Sequence, residues 1–211
     1  MGEVPRTSLA PGDRAPDFNL PAAHGEGVVR LAEYYGRGAV LLTMLRGLYC
    51  PFCRMHLVRL GQVAEPLRSL GIGLLGVVVA SPARARMYFG YRPARFPVAA
   101  APDRAVHRAY GLLAVPRGPE LREETERQAE AELQELGLQH PAGEATAVFL
   151  TAGGFEMTPE DEAEFARARQ AVGYFLIDRD GVIRWTRDDI HMLPLPSPRE
   201  LTALIGAAQN S

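Results

Sequence analysis

Two apolar runs of strand length, residues 39–45 (A-V-L-L-T-M-L) and 72–80 (I-G-L-L-G-V-V-V-A), bracket a helix that opens at Cys50-Pro51-Phe52-Cys53. No other feature of the chain constrains its fold as much. The second run is rich in β-branched residues and apolar on both faces, the mark of a central strand in a parallel sheet. Pro51 suits the first helical position, where the N–H it lacks would have no partner. Cys50 therefore falls at or beside the N-cap, facing free backbone N–H groups and the positive end of the helix dipole. Such a setting lowers a thiol pKa from about 8.5 into the range of roughly 3.5–7.5 and favours a nucleophilic thiolate. Cys53, one turn further on, is placed to close a disulfide with it.

These are the only two cysteines among 211 residues. A structural zinc site needs four ligands, and His24, His56, His107, His140 and His191 are scattered without ligand spacing. A disulfide closing so short a loop constrains the unfolded chain little, so a purely structural role is disfavoured. A pair of inert buried thiols does not account for the Pro that follows Cys50 or for the strand-to-helix setting. A redox role remains. The formal net charge is −2 with both signs interspersed, so nothing points to nucleic acid or to a membrane surface. Every basic residue is arginine, which rules out Schiff-base and P-loop lysine chemistry. No run reaches the ~18 apolar residues of a membrane span, and residues 1–12 do not read as a secretory signal. A lone Cys-x-x-Cys without those features reads as catalytic and cytoplasmic.

Along the chain, Val28–Leu31 reads as a short strand, and Pro66 is expected to kink or divide the helix after Cys50. Ser81-Pro82 opens a helix to about Tyr91, Phe96–Ala100 reads as a strand, and Asp103 opens a short helix to about Tyr110. Ala171–Ile177 and Val182–Thr186 flank Asp178-Arg179-Asp180-Gly181 as a β-hairpin. Ser197-Pro198 caps a helix ending near Gln209. Residues 117–170 form an insertion that the core does not need, within a single domain spanning 1–211. Glu120–Gly137 is a strong helix with Leu121, Leu133 and Leu136 apolar, Thr158-Pro159-Glu160-Asp161 caps a second, and Ala145–Thr151 is apolar and of open type. The simpler reading packs the insertion on the domain edge, since long insertions are tolerated. The alternatives are a dimer contact or a lid over Cys50.

Four segments carry a resemblance: G-x-x-A-P-D-F-x-L (Gly12 to Leu20), R-G-L-Y-C-P-F-C-R (Arg46 to Arg54), Phe96 to Gly111, and Y-F-L-I-D-R-D-G-V-I-R (Tyr174 to Arg184). In this order they resemble the alkyl hydroperoxide reductase and thiol-specific antioxidant family, in its Cys-x-x-Cys-bearing members. The match covers roughly residues 10–111 and 171–208. It implies an α/β, thioredoxin-like (peroxiredoxin-like) mixed sheet flanked by helices, with a helical insertion before the last hairpin. Peroxidases of that family place Thr or Ser three residues before the attacking Cys, Pro seven before, and Arg on the strand preceding the I-D turn. Here those positions hold Gly47, Thr43 and Val172. Thioredoxin-like relatives place a cis-Pro near the Val172 position as well.

The expected chemistry is that of a thiol oxidoreductase with an antioxidant role. Cys50 is the nucleophile, Cys53 resolves the intermediate, and Arg46 is the guanidinium that stabilises thiolate or peroxide oxygen. Tyr49, Phe52 and Val172 line the substrate side, whereas Arg54 reads as a surface charge. The missing Thr and Arg place thiol–disulfide exchange ahead of peroxiredoxin-type hydroperoxide reduction, with a non-enzymatic redox sensor as the third reading. Implied partners are a disulfide-bearing protein, or a small disulfide or hydroperoxide, together with a cellular thiol reductant. A homodimer contact is left open. No cofactor, metal, nucleic acid or membrane is expected.

Overall fold

The computed structural model describes residues 8–189 apart from 153 and 168, together with 197, 199, 200 and 203. In chain order the elements are β1 (Asn19–Pro21), β2 (Val28–Arg30), β3 (Ala39–Gly47), α1 (Pro51–Ser69), β4 (Ile72–Val79), α2 (Pro82–Tyr91), β5 (Val98–Ala100) and α3 (Ala105–Ala109). They continue with β6 (Ala114–Val115), α4 (Pro119–Glu135), α5 (Ala145–Thr151), α6 (Pro159–Arg167), β7 (Arg169–Gln170), β8 (Val172–Ile177) and β9 (Ile183–Asp189). A five-stranded sheet in the order β5-β4-β3-β8-β9 forms the centre. β3, β4 and β5 run parallel, while β8 is antiparallel to β3 and β9.

Alternation along the strands builds a core on each face of this sheet. Leu41 and Leu45 of β3, Leu74 and Val78 of β4, and Tyr174 and Leu176 of β8 join the cluster that holds both cysteines. Val40, Leu42, Met44, Leu75, Val77, Phe175 and Ile177 join the other, against Tyr110 and Leu112. His107, fully buried, bonds through Nε2 to the Leu45 carbonyl at 2.9 Å, which fixes β3 one residue before Arg46.

Several local expectations are refined. The hairpin around Asp178–Gly181 forms as β8–β9 but runs on to Asp189. Pro66 does not divide α1; it lies in the last turn, where only one intrahelical bond is lost before the helix ends. Residues 145–151 are the helix α5, whose first N–H groups, on Ala145 and Thr146, donate to the Glu126 carboxylate at 2.6 and 3.0 Å. The buried stripe of α4 is Thr125, Ala129 and Leu133, and Leu136 is exposed. The helix expected from Ser197 to Gln209 falls largely outside the described residues. Among those described, no helix is long and apolar enough to cross a membrane.

Candidate active site

β3 delivers Arg46 and α1 begins at Pro51, with Cys50 between them as the N-cap. Cys50 has extended backbone angles, and its sulfur accepts from the Cys53 N–H at 3.4 Å. Arg46 Nη1 donates to the same sulfur at 3.6 Å, and Arg46 Nε donates to the Gln170 carbonyl at 2.6 Å. Both cysteines are reduced and buried, and they lie 3.1 Å apart. That separation is well beyond the ~2.05 Å of a disulfide.

Burial alone raises the Cys50 pKa, but the hydrogen bonds from Cys53 and the charge of Arg46 outweigh it and hold the thiol well below its ordinary value. Cys53 moves the opposite way. Burial raises it first, and the bond to the Cys50 sulfur and that sulfur's charge raise it further. The two cysteines are therefore pushed apart in acidity, Cys50 toward the thiolate and Cys53 toward the thiol.

A small cavity of about 20 Å³ lies over Cys50, room for little more than one water. The core contributes Arg46, Tyr49, Cys50, Pro51 and Phe52 to its wall, and the segment 117–170 contributes Arg117, Thr125, Ala129, Thr146, Phe149, Leu150, Phe165 and Arg169. The insertion thus packs over the thiol rather than on a remote edge of the domain. Aromatic edges hold it there: Phe149 against Phe52 with centroids 4.8 Å apart, and Phe165 against Tyr49 at 5.9 Å. Cys50 is left only 4% exposed.

The structure brings four of the six residues expected at the site to this cavity: Arg46, Tyr49, Cys50 and Phe52. Cys53 lies directly behind Cys50. Val172, buried at the start of β8 and paired with Asp189, is not among the lining residues. The expectation for Arg54 is overturned. It is buried, donating from Nη1 to the Leu48 and Tyr49 carbonyls at 3.0 and 3.2 Å and from Nη2 to the Leu150 carbonyl at 2.9 Å. Its guanidinium also lies 3.9 Å over the Phe155 ring. The turn between β3 and α1 leaves carbonyls free of the sheet, and the insertion covers the cation that satisfies them.

Arg169 was not anticipated. It lies three residues before Val172, almost fully buried, with Nη1 and Nη2 donating to Thr125 Oγ1 and Gln128 Oε1 at 2.5 and 3.2 Å. Burial, then the neighbouring Arg46, lowers its pKa to about 10. An arginine at the entry of an otherwise apolar strand was the available signal. Gly47 also acquires a reason: a Cβ there would meet the Tyr49 ring at 2.5 Å, so the ring fills the space beside Cys50 that a larger residue would claim.

A cysteine of lowered pKa at the N-cap of the helix after a central strand, with a second cysteine one turn on, is an arrangement found in thioredoxin-fold redox proteins. The chain belongs to the AhpC/TSA family, whose model matches residues 11–186. A peroxiredoxin-named protein of Mycobacterium tuberculosis is 30% identical over 105 residues, covering 50% of this chain and 66% of that protein. The 1-Cys peroxiredoxin PER1 of Hordeum vulgare is 29% identical over 104 residues, covering 46% and 47%. The chain thus matches about two thirds and about half of the lengths of these relatives.

Among solved structures, a protein of Chlorobium tepidum named as a thiol:disulfide interchange protein DsbE is similar with a TM-score of 0.55 and 23% identity, over 95% of this chain and 99% of that one. A reduced 2-Cys peroxiredoxin of Plasmodium vivax gives 0.60 and 15%, over 96% and 83%. Peroxidoxin BcpB of Mycobacterium tuberculosis gives 0.54 and 15%, over 96% and 95%. These likenesses establish the fold. Family and relatives together support a thiol-dependent, peroxiredoxin-like redox function.

Proposed function

We propose that the protein reduces small hydroperoxides, with Cys50 as the attacking thiolate and Cys53 as the resolving thiol. The observation that carries this reading is the enclosure of Cys50. Its sulfur faces a cavity of about 20 Å³ bounded by Arg46, Arg117 and Arg169, which suits a peroxide and is too small for a protein disulfide. The guanidiniums supply the hydrogen-bond donors and positive charge that the family's missing Thr and Arg would otherwise provide.

In the first step the Cys50 thiolate attacks one peroxide oxygen. The O–O bond breaks, and the electron pair leaves with the other oxygen, which takes up a proton as water or alcohol. Cys50 becomes a sulfenic acid. Cys53 then attacks that sulfur, water departs, and a Cys50–Cys53 disulfide forms. Two electrons from a cellular thiol reductant restore the dithiol. The charge arrangement times the second step: the Cys50 thiolate keeps Cys53 protonated, and its conversion to a neutral sulfenic acid removes that repulsion. The attraction of Arg46 for Cys53 then remains, so Cys53 gives up its proton more readily once it is needed.

Thiol–disulfide exchange, the reading that the Cys-x-x-Cys motif itself favours, keeps one specific support: two sulfurs 3.1 Å apart with split protonation. It requires the insertion to open. Stopped-flow mixing of the reduced protein with hydrogen peroxide separates the two. The expected Cys50 oxidation is about 10²–10³ times faster than that of an ordinary low-pKa thiolate, is abolished by Cys50→Ser, and halts at the sulfenic acid in Cys53→Ser. A rate equal to an ordinary thiolate sinks the peroxidase reading and leaves exchange. A cytoplasmic, antioxidant setting belongs to this same reading.

A further inference from the structure

We propose that the cavity over Cys50 binds a small monovalent anion, of chloride or formate size, held by Arg117 and Arg169 and competing with the thiolate for the same positive charge. Among the described residues, three arginines line the cavity and no aspartate or glutamate does. Three guanidiniums against one thiol leave at least two positive charges without a carboxylate at the cavity, that of Arg169 in a place where water hardly enters. Unbalanced charge at low dielectric is costly.

The hydrogen bonding points the same way. Arg169 Nε and Tyr49 Oη are buried with no partner, in residues only 1% and 2% exposed, and Arg117 Nε is likewise unpartnered. All three belong to residues that line this one cavity. An acceptor placed there would answer donors that each cost about 1–3 kcal/mol when left unmet. The partners that Arg169 does have, Thr125 and Gln128, are neutral, so they orient the guanidinium without discharging it. Arg117 sits at the half-buried rim, stacked 3.8 Å from the Phe165 ring centroid, and presents a cation on the entry side. The room available selects for size. A halide or a formate is near the limit, and an aromatic anion does not fit.

An anion there weakens the hold of the site on the Cys50 thiolate and shifts that thiol toward its protonated, unreactive form. This property does not depend on the peroxidase reading, because it concerns the resting thiolate and needs no oxidant.

The test exchanges bulky benzenesulfonate for chloride at constant ionic strength, so that general screening is unchanged. The fully reduced chain is followed by thiolate ultraviolet absorbance across a pH titration. Chloride is expected to move the Cys50 titration upward in a saturable way, by up to about one pKa unit, a tenfold shift in the thiol–thiolate equilibrium. Formate should act similarly. Arg169→Met should remove the saturable effect, Arg169→Lys should keep part of it, and Arg117→Gln should weaken it, each checked for folding by melting. Should Arg169→Met not fold, Arg117→Gln decides. Indifference to which anion is present overturns the proposal, as does an undiminished effect in a folded Arg169→Met or, in its absence, Arg117→Gln.

Discussion

The central sheet and the segment 117–170 that covers Cys50 are held by different balances of forces. Around β3, β4 and β8 the stabilising term is apolar burial on both faces: Leu42, Met44, Leu75, Val77, Phe175 and Ile177 are completely buried. Each buried side chain of this kind contributes about 1.5–3 kcal/mol. Residues 117–170 add fewer apolar side chains to the core, among them Ala129, Leu133, Ala145, Phe149 and Phe155. The seventeen-residue α4 buries only Thr125, Ala129 and Leu133, and the segment is fastened in addition by polar contacts, several from arginines reaching across from the core. Arg54 holds the Leu150 carbonyl and Phe155. Arg84 holds Asp161 at 2.6 Å and the Glu156 carbonyl at 3.1 Å, Arg104 pairs with Glu164, and Ser81 bonds to Glu160. Directional polar contacts hold geometry well and fail singly, whereas a packed core fails as a unit. On the proposed peroxide-reducing reading, the difference suits a cover that keeps protein thiols from Cys50 during oxidation and admits a reductant afterwards.

The comparison breaks most sharply at Asp161. Its carboxylate accepts from Arg84, from the Thr158 backbone N–H and from the Thr158 hydroxyl, and both ion-pair side chains are buried. Asp161→Ala strands a buried guanidinium, at a cost of about 3–5 kcal/mol. The expected outcome in urea is an early transition of the segment 117–170, with a steep rise in labelling of Cys50 by a bulky maleimide and little change in its oxidation by hydrogen peroxide. One unchanged cooperative transition with unchanged labelling means that the ion pair does not hold the cover.

Acid attacks the other region. Burial lowers His56 and His107, each to about 4, so both fold in the neutral form. Between about 6.5 and about 4 the unfolded chain binds more protons than the folded one. Stability is therefore fully present above about 6.5, falls as the pH drops through that window, and levels off below it. The loss is on the order of 3 kcal/mol per histidine. Urea midpoints measured across this range should show it, and His107→Gln, which keeps a donor for the Leu45 carbonyl, should remove about half of the drop. A flat profile contradicts the neutral burial of these rings.

Arg54 joins the two regions and sharpens the contrast. Arg54→Met removes its bonds to the Leu48, Tyr49 and Leu150 carbonyls and should cost about 1–3 kcal/mol. Labelling of Cys50 by the bulky maleimide should rise more than global stability falls. The smallest expected effect lies wholly in the core: Gly47→Ala pushes the Tyr49 ring aside, at about 1–2 kcal/mol, and should slow Cys50 oxidation without opening the cover. Equal maleimide labelling of the wild type and this variant distinguishes it from Arg54→Met.

What was legible in the sequence was local. The apolar run before Cys50, Pro51 at the first helical position and the β-branched run after the helix specify strand, N-cap thiol, helix and parallel strand, because each depends on neighbours within a few residues. Arg46, four residues before Cys50, was legible for the same reason. The hairpin around Asp178–Gly181 followed from its turn residues.

Tertiary structure decided the rest. Whether an arginine is a surface charge or a buried strut depends on carbonyls and rings that chain connectivity does not announce. Arg54 meets Leu150, 96 positions away, and Arg46 meets Gln170, 124 positions away. Val172 stands where a family arginine was expected, and Arg169 reaches the cavity from β7, because α4 supplies Thr125 and Gln128 to hold it there. The thiol chemistry at Cys50 was written into a short stretch of chain. Its enclosure, its surplus of positive charge and its cover arise only when segments far apart in sequence meet over one sulfur, since charge and exclusion of water are properties of the assembled volume.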